Sequence, residues 1–119
     1  MTKHESACAA YVQANFEIGR LTRLIGIQIN YCRETKAKAA GEEPEYSAIP
    51  HCLPDYYRDR NAMLNVGWMA CDEVAPLDCP FCLEADRLIQ QRKKARQTLG
   101  AAKRQITVLG KQALKEKQS

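Results

Sequence analysis

From Ala7 onward, the first third of the chain places an apolar or small residue alternately four and three positions apart. The series is Ala7, Tyr11, Ala14, Ile18, Leu21 and Ile25, with Gln28 interrupting it before Cys32. That alternation marks one face of an α-helix written in heptads. Leu24, Ile27, Ile29 and Tyr31 widen the face beyond two positions per heptad, which suits a helix packed against more than one neighbour. The spacing predicts a helix over about residues 5–38. Asn15, Gly19, Thr22, Gly26 and Asn30 form a narrow stripe of small or polar groups beside the seam. Each glycine costs about 1 kcal/mol of helix propensity relative to alanine. The stripe therefore reads as a groove for the close approach of another element.

The last third repeats the pattern. Phe81, Ala85, Leu88, Arg92, Ala95, Leu99, Ala102, Ile106, Leu109 and Ala113 alternate in the same way, and Arg92 is the polar member of the seam. Pro80 suits the first turn of a helix, where its missing N–H costs nothing. A basic helix over about 80–117 is expected. Residues 39–79 read as an acidic loop, a short helix starting near Pro54-Asp55, and a cysteine-bearing turn. No run alternates like a strand. The expected fold is all-α and a single domain over 1–119. It is a long coiled-coil-like helical hairpin, or a helical dimer, with a short middle helix and a Cys-rich metal-binding turn.

Composition adds a constraint. Aromatic residues make up only 7% of the 119, so large side chains cannot supply most of a core, and a metal clip would help a chain of this size. Met1 to Ala10 carries Lys3, His4 and Glu5 where a secretory peptide needs an apolar run, and no stretch approaches membrane-spanning length. A cytoplasmic location is expected, with no membrane partner. Thiols stay reduced there, so the six cysteines read as metal ligands or small buried groups rather than as disulfides.

Cys79-Pro-Phe-Cys82 is the most specific signal in the chain. Two thiolates three residues apart, with a proline stiffening the turn, can face one tetrahedral ion. Cys52, Cys71, Cys79 and Cys82 supply four thiolates in the string Cys-x18-Cys-x7-Cys-x2-Cys. A straight helix between Cys52 and Cys71 would hold them about 28 Å apart, so this set needs a bend, as at Gly67. Without one, His51 and Cys32 could replace Cys71, because in an antiparallel hairpin the first helix ends near the start of the last. His4 and Cys8, four residues apart, rank behind these. Cys8 and Cys32 lie on or beside helix faces, where a thiol also packs as a small core group. Structural Zn2+ is the expected cofactor, since it accepts thiolate tetrahedra without redox cycling. A thiol-redox role would need strands around the motif, and none is visible.

Charge is segregated. Residues 1–40 carry a net +3, 41–83 a net −6 and 84–119 a net +7. Arg96 and Lys103 share one stripe of the last helix and Arg104 and Lys111 an adjacent one, so these four are the candidate phosphate contacts. Tyr56, Tyr57 and Trp68 combine aromatic surface with nearby arginines, the residue types of protein-binding hot spots. No nucleophile elbow, phosphate-cradling glycine loop or Ser/His/Asp order is present, so catalysis is not expected. The chain is expected to be a zinc-stabilised binding protein presenting a basic helix to nucleic acid or a nucleoprotein complex. The alternative is a protein-binding regulator or inhibitor, such as a mobile-element accessory factor. A homodimer is compatible with either.

Overall fold

The structure is a computed structural model that describes residues 2–65 and 77–118. Three α-helices account for most of the described residues: α1 (Lys3–Ala39), α2 (Leu53–Asn65) and α3 (Pro80–Gln118). A single 3-10 turn, Pro44–Tyr46, lies between α1 and α2. There is no strand among the described residues. Among the described residues, no helix is long and apolar enough to cross a membrane.

Local chemistry accounts for the ends of α1. Thr2 Oγ1 accepts the Glu5 backbone N–H at 3.1 Å, which satisfies one of the donors a helix start leaves unpaired. The other end is a Schellman turn. Glu42 N–H donates to Ala37 O at 2.8 Å and Gly41 N–H to Lys38 O at 3.1 Å. Gly41 takes φ +73, the left-handed region that costs a residue with a Cβ about 1–2 kcal/mol. A Cβ built there meets nothing within 4 Å, so the cost of a side chain is backbone strain alone. Gly41→Ala is expected to lower stability by about 1 kcal/mol, read as a fall of a few degrees in melting temperature.

The chain divides into two compact units, residues 1–23 with 89–119, and residues 24–88. In the first, α1 and α3 run antiparallel. Thr22 Oγ1 accepts Arg92 Nη1 at 3.3 Å, while Lys103 Nζ sits 6.0 Å from the centre of the Tyr11 ring. Ala7, Ala14, Leu21 and Ala102 form the buried core of this unit, and Leu21 is its one large side chain below 2% exposure. In the second unit, Ile25, Cys32, Ala37, Leu53, Cys82, Ala85 and Leu88 are buried together. The Tyr31 and Phe81 rings pack 5.6 Å apart, and the Tyr57 hydroxyl donates to Asp86.

The four-three alternation corresponds to burial. On α1, Ala7, Ala14, Leu21, Ile25 and Cys32 are buried, and Tyr11 and Ile18 partly so. On α3, Ala85, Leu88 and Ala102 are buried and Arg92, Ala95, Leu99, Ile106 and Leu109 half-buried, while Ala113 is exposed. The small-residue stripe behaves differently. A Cβ at Gly19 or Gly26 would meet nothing within 4 Å, so no described element approaches those glycines.

Candidate metal centre

Three elements deliver four cysteines to one point in the second unit. The sulfurs of Cys32, Cys52, Cys79 and Cys82 all lie within 4.8 Å of one another. Cys32 sits two turns before the end of α1, facing the core because it continues the seam set by Leu21 and Ile25. Cys52 and Cys79 stand immediately ahead of α2 and α3, and their carbonyls accept the Tyr56 and Leu83 backbone N–H groups at 3.2 and 2.9 Å. Each is therefore the capping residue of its helix, followed within two positions by a proline that suits a first turn. Cys82 lies one turn into α3 and, like Cys32, is fully buried.

The spacing fits one ion. Zn–S bonds of about 2.3 Å place the sulfurs of a regular tetrahedron about 3.8 Å apart. The Cys32 and Cys52 sulfurs stand 3.8 Å apart, and the remaining pairs fall within 4.8 Å. A disulfide would need about 2.05 Å, and all five cysteines among the described residues are free. The four side chains could thus hold a metal ion with small rotations about their own bonds. Four sulfurs around one point leave no open coordination position for a reacting water or substrate.

Electrostatics differ among the four thiols. Burial pushes the Cys32 and Cys82 thiols above the ordinary range. At Cys79 burial also opposes ionisation. The backbone N–H groups of Cys82 and Phe81, with the Cys32 and Cys82 thiols, outweigh it and bring that thiol below the usual value. This is the expected effect of a helix N-terminus on a capping thiol. A metal ion would take all four as thiolates and displace their protons, so its affinity would fall as pH falls.

Lys36 lies one turn beyond Cys32 on α1, and its role was not anticipated from the sequence. Its ammonium donates to Pro50 O at 3.0 Å. Burial opposes its charge, but a hydrogen bond to the Cys52 sulfur and the nearby Cys32 and Cys82 thiols outweigh this and raise its pKa. It therefore ties the loop carrying Cys52 to α1 and places positive charge beside the four sulfurs. An i, i+4 step from a ligand cysteine on a helix was the available signal. Lys36→Met is expected to weaken metal binding about tenfold, as loss of an outer-shell partner does. Lys36→Arg should recover most of that loss, as checked by competition against a chromogenic chelator.

The other expected residues fall as follows. Cys71 and Trp68 lie outside the described residues, as does the proposed bend at Gly67. In the tetrad the structure forms, the fourth sulfur belongs to Cys32, which is at once a seam residue and a cluster member. His51 adjoins Cys52 but is not in the cluster. Its Nδ1 is buried with no hydrogen-bond partner, and burial together with Arg33 and Lys36 lowers its pKa. His4 and Cys8 belong to the first unit, outside the tetrad. Tyr56 and Tyr57 are half-buried, their rings 5.7 Å apart, with the Tyr57 hydroxyl committed to Asp86. Arg96, Lys103, Arg104 and Lys111 are all exposed on α3.

No protein-family model, no curated protein and no solved structure matches this chain.

Proposed function

We propose that Cys32, Cys52, Cys79 and Cys82 hold one Zn2+ in a closed structural centre. We propose further that the chain is a non-enzymatic binding protein whose basic unit engages nucleic acid or a nucleoprotein complex. The observation that carries the second part is the division of charge between the two units. Residues 1–23 and 89–119 hold twelve basic and three acidic groups, a net of +9. Residues 24–88 hold six and eleven, a net of −5. Lys93, Lys94, Arg96, Lys103, Arg104, Lys111, Lys115 and Lys117 are all exposed on α3. A positive surface of this density favours phosphates and the release of their counterions.

Zinc is supported by the donor set and its spacing. Four sulfurs within 4.8 Å of one another, one pair of them at 3.8 Å, suit one tetrahedral ion, whereas an iron–sulfur cluster would set its cysteines further apart. A closed tetrathiolate contributes folding energy rather than chemistry. The alternation of four and three along α1 and α3 supports a coiled-coil reading of their pairing.

Two measurements test the reading. Native mass spectrometry of protein purified under reducing conditions is expected to show one zinc per chain, confirmed by elemental analysis. Binding to labelled nucleic acid is expected at about 50 mM salt and to fall steeply by about 200 mM. Protein that binds no nucleic acid at the lower salt removes the second part; protein without metal removes the first.

A further inference from the structure

We infer that the basic face of α3 is built for the phosphate backbones of a DNA duplex, read without regard to base sequence. This rests on the proposed nucleic-acid reading and narrows it. Lys93, Arg104, Lys111 and Lys115 fall within about 40° of arc on the side of the helix turned away from the seam, and Arg96 flanks them on the stripe it shares with Lys103. All five are exposed. Lys103, on the same stripe as Arg96, stands above the Tyr11 ring. The five groups form two clusters, one at 93 and 96 and the other from 104 to 115. Eight residues separate Arg96 from Arg104, about 12 Å along the helix axis. That is the width of the major groove of B-form DNA, about 12 Å, whereas the major groove of an RNA duplex is narrow. Arg96 and Arg104, the facing members of the two clusters, can each reach one strand across the DNA groove, and the second cluster continues about 16 Å further along the axis. A flexible single strand offers no fixed pair of phosphate rows to match.

The chemistry of the face excludes the usual way of gripping single strands. Proteins that hold unpaired bases stack them on aromatic side chains. No aromatic residue follows Phe81 in the sequence, so α3 has none along its basic length. Within the first unit, Tyr11 is half-buried beneath Lys103, and Phe16 is exposed on the side of α1 opposite the buried Ala14. Neither can join a base-stacking surface with the outer face of α3.

The test uses the full chain with its metal bound, and three labelled probes about two helical turns long. These are a DNA duplex, an RNA duplex of the same sequence, and the DNA single strand. Fluorescence anisotropy is expected to show the DNA duplex bound about tenfold or more tighter than the strand, with no change when its sequence is scrambled, and tighter than the RNA duplex. Five phosphate contacts predict a slope of log K against log salt of about −4.5, or about a 500-fold loss between 50 and 200 mM. The double substitution Arg96→Gln with Arg104→Gln is expected to reduce that slope by about 2, with helix content and metal content unchanged. A single strand or an RNA duplex bound as tightly as the DNA duplex, a marked sequence preference, or an unchanged slope in the double variant would overturn the duplex proposal and leave the broader reading standing. Absence of binding to all three probes would overturn both.

Discussion

Cys32→Ser is expected to strip the metal from the purified protein and to destabilise the unit formed by residues 24–88. Cys32 is 1% exposed and is the only member of the tetrad supplied by α1. A serine hydroxyl does not ionise near neutral pH, so the ion would lose a quarter of its thiolate charge and its tie to that helix. Removing an outer-shell partner costs about 10–100-fold in metal affinity. Loss of a direct ligand should exceed this, and about 1000-fold corresponds to about 4 kcal/mol. The serine adds a buried hydroxyl that needs a partner, worth a further 1–3 kcal/mol or so. Elemental analysis after dialysis against a weak chelator reads the first effect and thermal melting the second. Cys8→Ser is the matched control, since Cys8 is a free thiol in the other unit. A Cys32→Ser protein that kept one tightly held zinc would contradict the assignment.

Leu21→Ala is expected to have the next largest effect, for a different reason. The first unit buries mostly alanines, and Leu21 is 1% exposed between them. Truncation of a buried leucine loses transfer free energy and leaves a cavity, together about 3 kcal/mol. For a chain of this size that should lower the melting temperature by about 10 °C. Metal content should stay at its original value, because Leu21 belongs to the unit without the tetrad. A melt shifted by less than about 3 °C would mean that the helix pair closes over the gap, contrary to a core with one large anchor.

The sequence made some of this legible and hid the rest for physical reasons. Helical periodicity carried the two long elements because their seams run through many turns, and burial in the structure follows Ala7 to Cys32 and Phe81 to Leu109. The start of α1 was missed, since the periodicity placed it near residue 5, although Thr2 followed three residues later by Glu5 is a capping pattern. Cys79 and Cys82 are local neighbours, and spacing alone reveals such a pair. Cys32 is harder. Its position on an apolar seam gives the same pattern whether the thiol packs as a small core group or points at an ion, and only the meeting of three elements separates the two. Lys36 was hidden likewise, because its partners, Pro50 and Cys52, are distant in the chain. The side of α3 on which each cation falls follows from helix geometry, but Lys103's place over Tyr11 depends on the register between two helices.

The cysteines that could hold an ion stand at positions 32, 52, 79 and 82, so a metal bound there would close segments of about 20 and 27 residues. During synthesis at about 5–20 residues per second, α1 emerges some 2–10 seconds before the last cysteine does. Its sticky flank must wait uncovered through that interval, exposed to stray association. Yield in cells should therefore respond to zinc supply and to chaperones acting on the growing chain, even where the finished molecule is robust.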